Sequence, residues 1–158
     1  MQALPIIELR RIEANIIKPI YGEMVKELGE EPARRILGQA IRRNAIEQGR
    51  GLAEASAEPP GIAAFAGLLE RWKANDALRM ETLEQSDERL DFNVTRCRYA
   101  EMYREMGLAE IGHLLSCNRD GALCEGYDSR LELTRTQTIM GGASHCNFRY
   151  RWRNEEAS

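Results

Sequence analysis

The chain has 158 residues, which is the size of one domain with a sizeable core. Its formal net charge of -3 argues against a nucleic-acid surface, and no apolar run approaches the roughly 20 residues that span a bilayer. Its composition, 43% hydrophobic and 30% charged, is that of an ordinary globular protein. We therefore predict no nucleic-acid or membrane partner.

The opening residues and the cysteines indicate a compartment. M-Q-A-L-P-I-I-E-L-R-R has charges inside its apolar stretch, which is not the pattern of a signal peptide. We expect a cytoplasmic protein, in which Cys97, Cys117, Cys124 and Cys146 are reduced thiols. No C-x-x-C spacing occurs among them, so the usual sequence support for a metal site is missing.

Three helices are predicted in the first half of the chain. Apolar residues recur at helical spacing over residues 5–28, where Pro19 is expected to kink or interrupt the helix. A second helix is predicted from Pro32 to about Gln48, and a third from Ile62 to about Ala74. The long apolar face of the first helix makes a homo-oligomer through the N-terminal helices an open expectation.

The apolar period changes from helical to alternating at Ala77. Two alternating runs flank a turn at 85–88 and predict a hairpin: Leu78, Met80, Thr82 and then Leu90, Phe92, Val94. Helical spacing returns over 99–106, and a second short helix begins at Ala109. Further along, Gly121 and Gly126 predict that residues 117–128 are irregular or form a broken helix.

A closing hairpin is predicted to end the chain, with strands at 131–140 and 145–153. The order of three helices followed by β-β-α-α-β-β predicts an α+β fold, with a four-stranded, mainly antiparallel sheet covered by helices on one face. We expect one domain, with a helical part at 1–75 and a sheet-containing part at 76–154 that holds a ligand cavity.

Alternation sorts the residues of the last strand into two faces. One face carries Cys146, Phe148, Tyr150 and Trp152, which we expect to face the helices; the other carries His145, Asn147, Arg149 and Arg151. His145 and Cys146 are neighbours, but in a regular strand they cannot form a thiol–imidazole pair. Either a bulge near Gly141 re-aims one of them, or Cys146 takes its base from elsewhere.

The pairing of the closing hairpin bears on Arg135. If Ile139 pairs with Cys146, then Arg135 opposes Tyr150, and both Arg135 and Gln137 lie on the inward face. A buried arginine needs an acidic partner or an anionic ligand. The alternative is that Arg135 lies at the sheet margin with its guanidinium in water.

A second polar cluster, C-N-R-D-G-A-L-C-E-G, occupies residues 117–126. Its two cysteines are seven residues apart, so a continuous helix would place them on one face. Asp120 and Glu125 supply carboxylates, and Asn118 and Arg119 supply hydrogen bonds; an ordinary loop or helix boundary also contains Asp-Gly. A Cys3His metal site is an alternative if the fold brings four residues together: Cys117, Cys124, Cys146 and His145.

These two regions resemble the L-2-amino-thiazoline-4-carboxylic acid hydrolase family. The resemblance rests on A-E-M-Y-R-E-M-G-L-A-E-I-G-H-L-L-S-C-N-R-D (100–120) and on L-T-R-T-Q-T-I-M-G-G-A-S-H-C-N-F-R-Y (133–150). The helical stretches R-R-I-E-A (10–14) and I-R-R-N-A-I-E-Q-G (41–49) are similar to the family too. The family pattern usually has aspartate where this chain has Asn147.

The resemblance implies hydrolytic opening of the ring of 2-amino-thiazoline-4-carboxylate to N-carbamoyl-cysteine, and we predict no cofactor. It suggests Cys146 as nucleophile or substrate contact, Asp120 as base or water-positioning group, Cys117 as a second thiol and Glu125 as an acid. The predicted substrate-binding residues, with Arg135 as the clamp of the carboxylate, are Arg135, Gln137, Asn118, His145 and Asn147.

Two other functions compete with this one. A non-catalytic small-molecule-binding or sensory domain could use the same cavity, and Asn147 and the missing thiol–imidazole pair favour it. A metal-dependent enzyme could use the cysteine cluster. The density of polar residues around both cysteine motifs favours the hydrolase.

Overall fold

The structure, a computed structural model, describes residues 3–154. Its elements are α1 (Ile6–Leu28), α2 (Glu30–Ala55), α3 (Ile62–Lys73), β1 (Leu78–Gln85), β2 (Arg89–Cys97), α4 (Arg98–Glu105), α5 (Asn118–Tyr127), β3 (Leu131–Thr134) and β4 (Cys146–Trp152). The four strands form one antiparallel sheet in the order β1-β2-β4-β3. The predicted α+β fold and its order of elements are confirmed.

The first helix continues through its proline. Pro19 removes the hydrogen bond to the carbonyl of Asn15, but both residues are exposed, so water can satisfy that carbonyl. The expected interruption is therefore absent from α1, which ends at Gly29, a residue with φ of 88°. Among the described helices, none combines the length and the apolar character needed to cross a bilayer.

One stripe of α1 stays uncovered. Ile12, Ile16 and Ile20 are 56%, 60% and 52% exposed, whereas Ile6 and Ala14 on the opposite side are buried. The stripe is compatible with the expected contact between copies of the chain. Homo-oligomer formation remains a prediction.

The helices α2 and α5 cross with their backbones in contact. A Cβ atom placed on Gly126 would lie 1.9 Å from the carbonyl oxygen of Ile46, and one on Gly49 would lie 2.1 Å from the carbonyl oxygen of Leu123. The prediction that residues 117–128 are irregular or broken was wrong, because Gly126 permits this close approach instead of ending the helix. For the same reason α2 runs past the expected end at Gln48 to Ala55.

The closing hairpin is shorter than predicted and its pairing differs by two residues. Leu133 opposes Tyr150 and Thr134 opposes Arg149, whereas the predicted partner of Tyr150 was Arg135. The strand β3 ends at Thr134 because the backbone amides of Thr136 and Gln137 donate to the side chain of Asn147 rather than to the backbone of β4. Side chains in a strand repeat every two residues, so the shift leaves Arg135 on the inward side.

The sheet presents one face to the helices and one to the outside. Phe92, Val94 and Tyr150 on the covered face are buried in a cluster with Phe65 of α3 and Leu123 of α5. On the opposite face, the guanidinium of Arg151 pairs with Asp91, and that of Arg149 donates to Asn93. The covered face forms one wall of the cavity described next.

Candidate functional site

A cavity of ≈ 80 Å³ lies between the covered face of the sheet and the helices α1, α3 and α5. A cavity needs roughly 10–15 Å³ of such volume to hold one water molecule. A volume of ≈ 80 Å³ therefore suits a small ring and not a peptide or nucleotide. Most of the wall is apolar or aromatic: Leu69, Trp72, Leu78, Met80, Phe92, Val94, Leu123, Phe148 and Tyr150.

The polar part of the wall comes mainly from the start of α5 and the turn before it. Residues His113–Cys117 form a π-helical turn, an arrangement that often marks functional sites because it re-aims side chains. Ser116, Cys117 and Asp120 then face the cavity together. The hydroxyls of Tyr103 and Ser116 lie 2.6 Å apart, and this hydrogen bond holds the turn in place.

The Asp120 carboxylate and the Arg135 guanidinium form an ion pair on the cavity wall. Arg135 Nη1 donates to Asp120 Oδ2 at 2.5 Å, and Nη2 donates to the carbonyl oxygen of Cys117 at 3.0 Å. The Asp120 and Arg135 side chains are only 26% and 16% exposed. Burial raises the pKa of the Asp120 carboxyl above its ordinary value, against the opposing effect of Arg135.

Three of the four cysteines line the cavity. Burial raises the pKa of Cys97 to about 11 and that of Cys117 to about 12, and it also raises the pKa of Cys146. Cys146 Sγ accepts a hydrogen bond from the amide of Ile139 at 3.2 Å, while the ring of its neighbour His145 contacts the loop. All three are therefore protonated thiols at neutral pH, and His145 does not activate Cys146.

Besides Asn147, four other predicted site residues lie outside the cavity. Glu125 is exposed and pairs with Arg42 of α2 at 2.6 Å. Asn118 donates to a backbone carbonyl of α2 at 3.0 Å, which holds α5 against that helix. Gln137 and His145 interact with each other across the loop between β3 and β4. Their predicted roles stay predictions that no contact with the cavity supports.

Asn147 supports the loop that carries Arg135. Its Oδ1 accepts hydrogen bonds from the amides of Thr136 and Gln137, both at 3.0 Å, and its Nδ2 donates to the Thr136 hydroxyl at 2.6 Å. Its side chain lies on the outer face of β4, opposite to Cys146. A carboxylate here would accept the same two amide hydrogen bonds, so replacing the usual aspartate removes no charge from the cavity wall.

The effect of replacing Asn147 on stability should therefore depend on whether the new side chain can accept hydrogen bonds from the loop amides. We expect Asn147→Asp to stay within about 0.5 kcal/mol of the wild-type unfolding free energy, and Asn147→Ala to lose about 1–2 kcal/mol by leaving two amides without their acceptor. Urea unfolding of both variants measures the difference. Equal stability of the two variants would contradict the role of Asn147 as a loop acceptor.

The Cys3His set that was the metal-site alternative does not come together. Cys117 and Cys146 reach the cavity, whereas Cys124 is buried in the hydrophobic cluster beside Leu123 and His145 lies in the β3–β4 loop. Within residues 3–154, no group of three or more histidine, cysteine or acidic side chains has the arrangement of a metal site.

Sequence reasoning missed Arg10 as a cavity residue. It follows Ile6 by four residues and precedes Ala14 by four, so it falls on the buried stripe of α1. A charged residue in line with core positions is a usable signal of a polar site. Cys97, at the end of β2, gave no such signal because a buried free cysteine is common.

The chain is an α+β domain with a small cavity that is apolar on most sides and charged on one, an arrangement typical of small-molecule sites. It belongs to the L-2-amino-thiazoline-4-carboxylic acid hydrolase family, whose model matches residues 9–150. A search of curated proteins finds no match.

Among solved structures, the chain is similar to the phenol-responsive sensory domain of the transcription activator PoxR, determined with phenol. The TM-score is 0.51 with 14% sequence identity, over 96% of this chain and 76% of that one. At this identity the likeness shows the fold alone.

Proposed function

We propose that the protein is a hydrolase that opens a small cyclic C–N/C–S substrate such as 2-amino-thiazoline-4-carboxylate, giving N-carbamoyl-cysteine. The observation that carries this proposal is the Asp120–Arg135 ion pair on the wall of an otherwise largely apolar, ring-sized cavity. Membership of a hydrolase family supports it. The four cysteines are free, which supports a reducing, cytoplasmic location.

The proposed reaction adds one water molecule to the ring carbon between sulfur and nitrogen. The water oxygen becomes the new carbonyl oxygen, the carbon–sulfur bond breaks, and the two water protons end on the sulfur and on the ring nitrogen. Asp120 takes a proton as water attacks and returns it to the leaving sulfur. Arg135 keeps the Asp120 carboxylate in place through its hydrogen bond, so it acts as a positioning residue.

Water is a better nucleophile in this site than Cys146. Burial raises the pKa of Cys146 and so disfavours the thiolate, which is the reactive form, against the opposing effect of the hydrogen bond from the Ile139 amide to its Sγ. Of the two predicted roles of Cys146, the structure favours contact with the substrate.

The proposal is tested by incubating the purified protein with L-2-amino-thiazoline-4-carboxylate and following the free thiol and the gain of one water by mass spectrometry. We expect enzyme-dependent formation of N-carbamoyl-cysteine. In the same assay, Cys146→Ser should keep kcat within about tenfold of wild type, because a hydroxyl can accept the amide hydrogen bond.

Two outcomes would contradict these expectations. A loss of kcat by a factor of about 10⁴ or more in Cys146→Ser would establish a thiol nucleophile instead of water. Absence of product with the wild-type protein would reject the hydrolase for this substrate, and binding without turnover would favour the second candidate function.

The second candidate is a non-catalytic small-molecule-binding domain. The observation that favours it is the largely apolar lining of the cavity, together with the fold shared with a sensory domain. In that case Asp120 and Arg135 would hold a polar group of the ligand without transferring a proton. Calorimetric binding of the intact thiazoline, recovered unchanged, distinguishes this candidate.

A further inference from the structure

Two more arginines reach the cavity in addition to Arg135. Arg10 comes from the buried side of α1 and Arg119 from the first turn of α5, and both line the cavity wall. Their side chains are only 5% and 7% exposed. Buried guanidinium groups are costly unless they are paired, so their partners decide what the cavity can accept.

The two arginines share one carboxylate. Arg10 Nη1 donates to both oxygens of Glu13, at 3.0 and 3.3 Å, and Arg119 Nη2 lies 3.8 Å from Glu13 Oε1. The three remaining contacts are with neutral acceptors: Arg119 Nη1 donates to Asn44 Oδ1 at 3.0 Å, Arg119 Nε donates to the Leu115 carbonyl oxygen at 3.0 Å, and Arg10 Nη2 donates to Gln48 Oε1 at 3.4 Å. These neutral groups fix the guanidinium planes without neutralising them.

The charges around the cavity are consequently unequal. Three arginines line the cavity, Arg10, Arg119 and Arg135, and their ion-pair partners are two carboxylates, those of Asp120 and Glu13, which leaves one positive charge in excess. Burial and then the like charge of Arg10 lower the pKa of Arg119 to about 10. A bound anion would compensate the excess positive charge and offset the repulsion between Arg10 and Arg119.

We propose that Arg10 and Arg119 form an anion subsite that binds the carboxylate of a small cyclic acid. Arg135 is less suited to this task, since it pairs with the Asp120 carboxylate, whereas Arg10 and Arg119 share the single carboxylate of Glu13. The inference deepens the proposed function and rests on it for the substrate ring: the carboxylate lies against Arg10 and Arg119, and the reactive ring carbon lies towards Asp120. The site selects ring substrates by their negative charge.

The subsite can be tested without turnover. Thiazolidine-4-carboxylate and its 4-carboxamide have the same ring and differ in charge, and neither has the double-bonded ring carbon that water attacks. Calorimetry with the wild-type protein should show at least about tenfold tighter binding of the carboxylate, because a charged hydrogen bond is worth more than a neutral one. Equal dissociation constants for the two ligands would overturn the proposal.

Substitution of each arginine tests whether Arg10 and Arg119 cause the preference for the carboxylate over the carboxamide. Arg119→Gln and Arg10→Gln should each weaken carboxylate binding by at least about tenfold and leave carboxamide binding nearly unchanged. The control is Arg11→Gln, at the position next to Arg10, because Arg11 is half-exposed and pairs with Glu8. A carboxylate preference that survives Arg119→Gln and Arg10→Gln would overturn the assignment.

A charge-retaining variant and the comparison of binding with turnover complete the test. Arg119→Lys retains the charge but not the fork of donors, so it should give an intermediate loss if the glutamine variants do not fold. The binding result is also independent of ring opening. A carboxylate preference without turnover of the thiazoline would reject the hydrolase and keep the subsite, and turnover without the preference would do the reverse.

Discussion

Gly126→Ala should lower the free energy of unfolding by at least about 3 kcal/mol, a large share of the ~5–15 kcal/mol that stabilises a typical domain. The new methyl group would lie 1.9 Å from the carbonyl oxygen and 2.7 Å from the carbonyl carbon of Ile46. Both are backbone atoms of α2, so no side chain can turn away and the two helices must move apart. Urea unfolding followed by circular dichroism measures the loss.

Gly121→Ala is the matched control for this effect. Gly121 is in the same helix, but its added Cβ would have nothing within 4 Å. Alanine there should be neutral or stabilising by up to about 1 kcal/mol, because it restricts the unfolded chain and favours the helix. If the two variants have the same stability, the backbone-to-backbone crossing of α2 and α5 is wrong.

Asp120→Asn should reduce kcat for ring opening by about 10²–10⁴-fold, the usual contribution of a general base. The amide retains the shape of the carboxylate and cannot accept the proton of the attacking water. Wild-type activity should fall as pH decreases through the pKa of Asp120, since only the ionised carboxylate is a base, and burial places this fall above the ordinary range of an aspartate. Steady-state kinetics against pH should show this fall in wild type and not in the variant.

Glu125→Gln distinguishes the two carboxylates of α5. Glu125 was a candidate acid on sequence grounds, but it is exposed and paired with Arg42. We expect its variant to keep kcat and KM within about twofold, since the substitution removes a surface ion pair of little energetic value. A loss like that of Asp120→Asn would show that Glu125 approaches the substrate. Melting temperatures must accompany both assays, because Asp120→Asn also leaves Arg135 without its counter-ion.

The order of elements was predictable because each of them carries its own local pattern. Apolar spacing gave the helices and the alternation gave the strands, and both signals depend only on neighbours in the chain. The errors arose where a distant partner decides the conformation. Gly126 has the sequence appearance of a helix breaker, and only the backbone of α2 explains why it lies within a helix. Similarly, β3 ends early because Asn147 captures the following amides.

The residues of the candidate site that lie together in one sequence segment were predictable. Cys117 and Asp120 come from one segment, and alternation along β4 predicts the inward direction of Cys146. The contributions of Arg10 and Cys97 depend on how α1 and β2 are placed around the cavity, and no local pattern encodes that placement. Whether Asn118 and Glu125 face the cavity or the surface depends equally on the rotation of α5 against α2.

The three thiols around the cavity have a consequence for a reaction that liberates a thiol. Disulfide exchange and oxidation by peroxides both begin with a thiolate. Cys97 and Cys117, with pKa values raised to about 11 and about 12, are almost entirely protonated at neutral pH and so supply almost no thiolate. A peroxide would therefore convert them only slowly to the sulfenic acid that could condense with a thiol product, with loss of water, to a mixed disulfide. In the proposed reaction, the cavity could thus be rich in cysteine and still release its product unmodified.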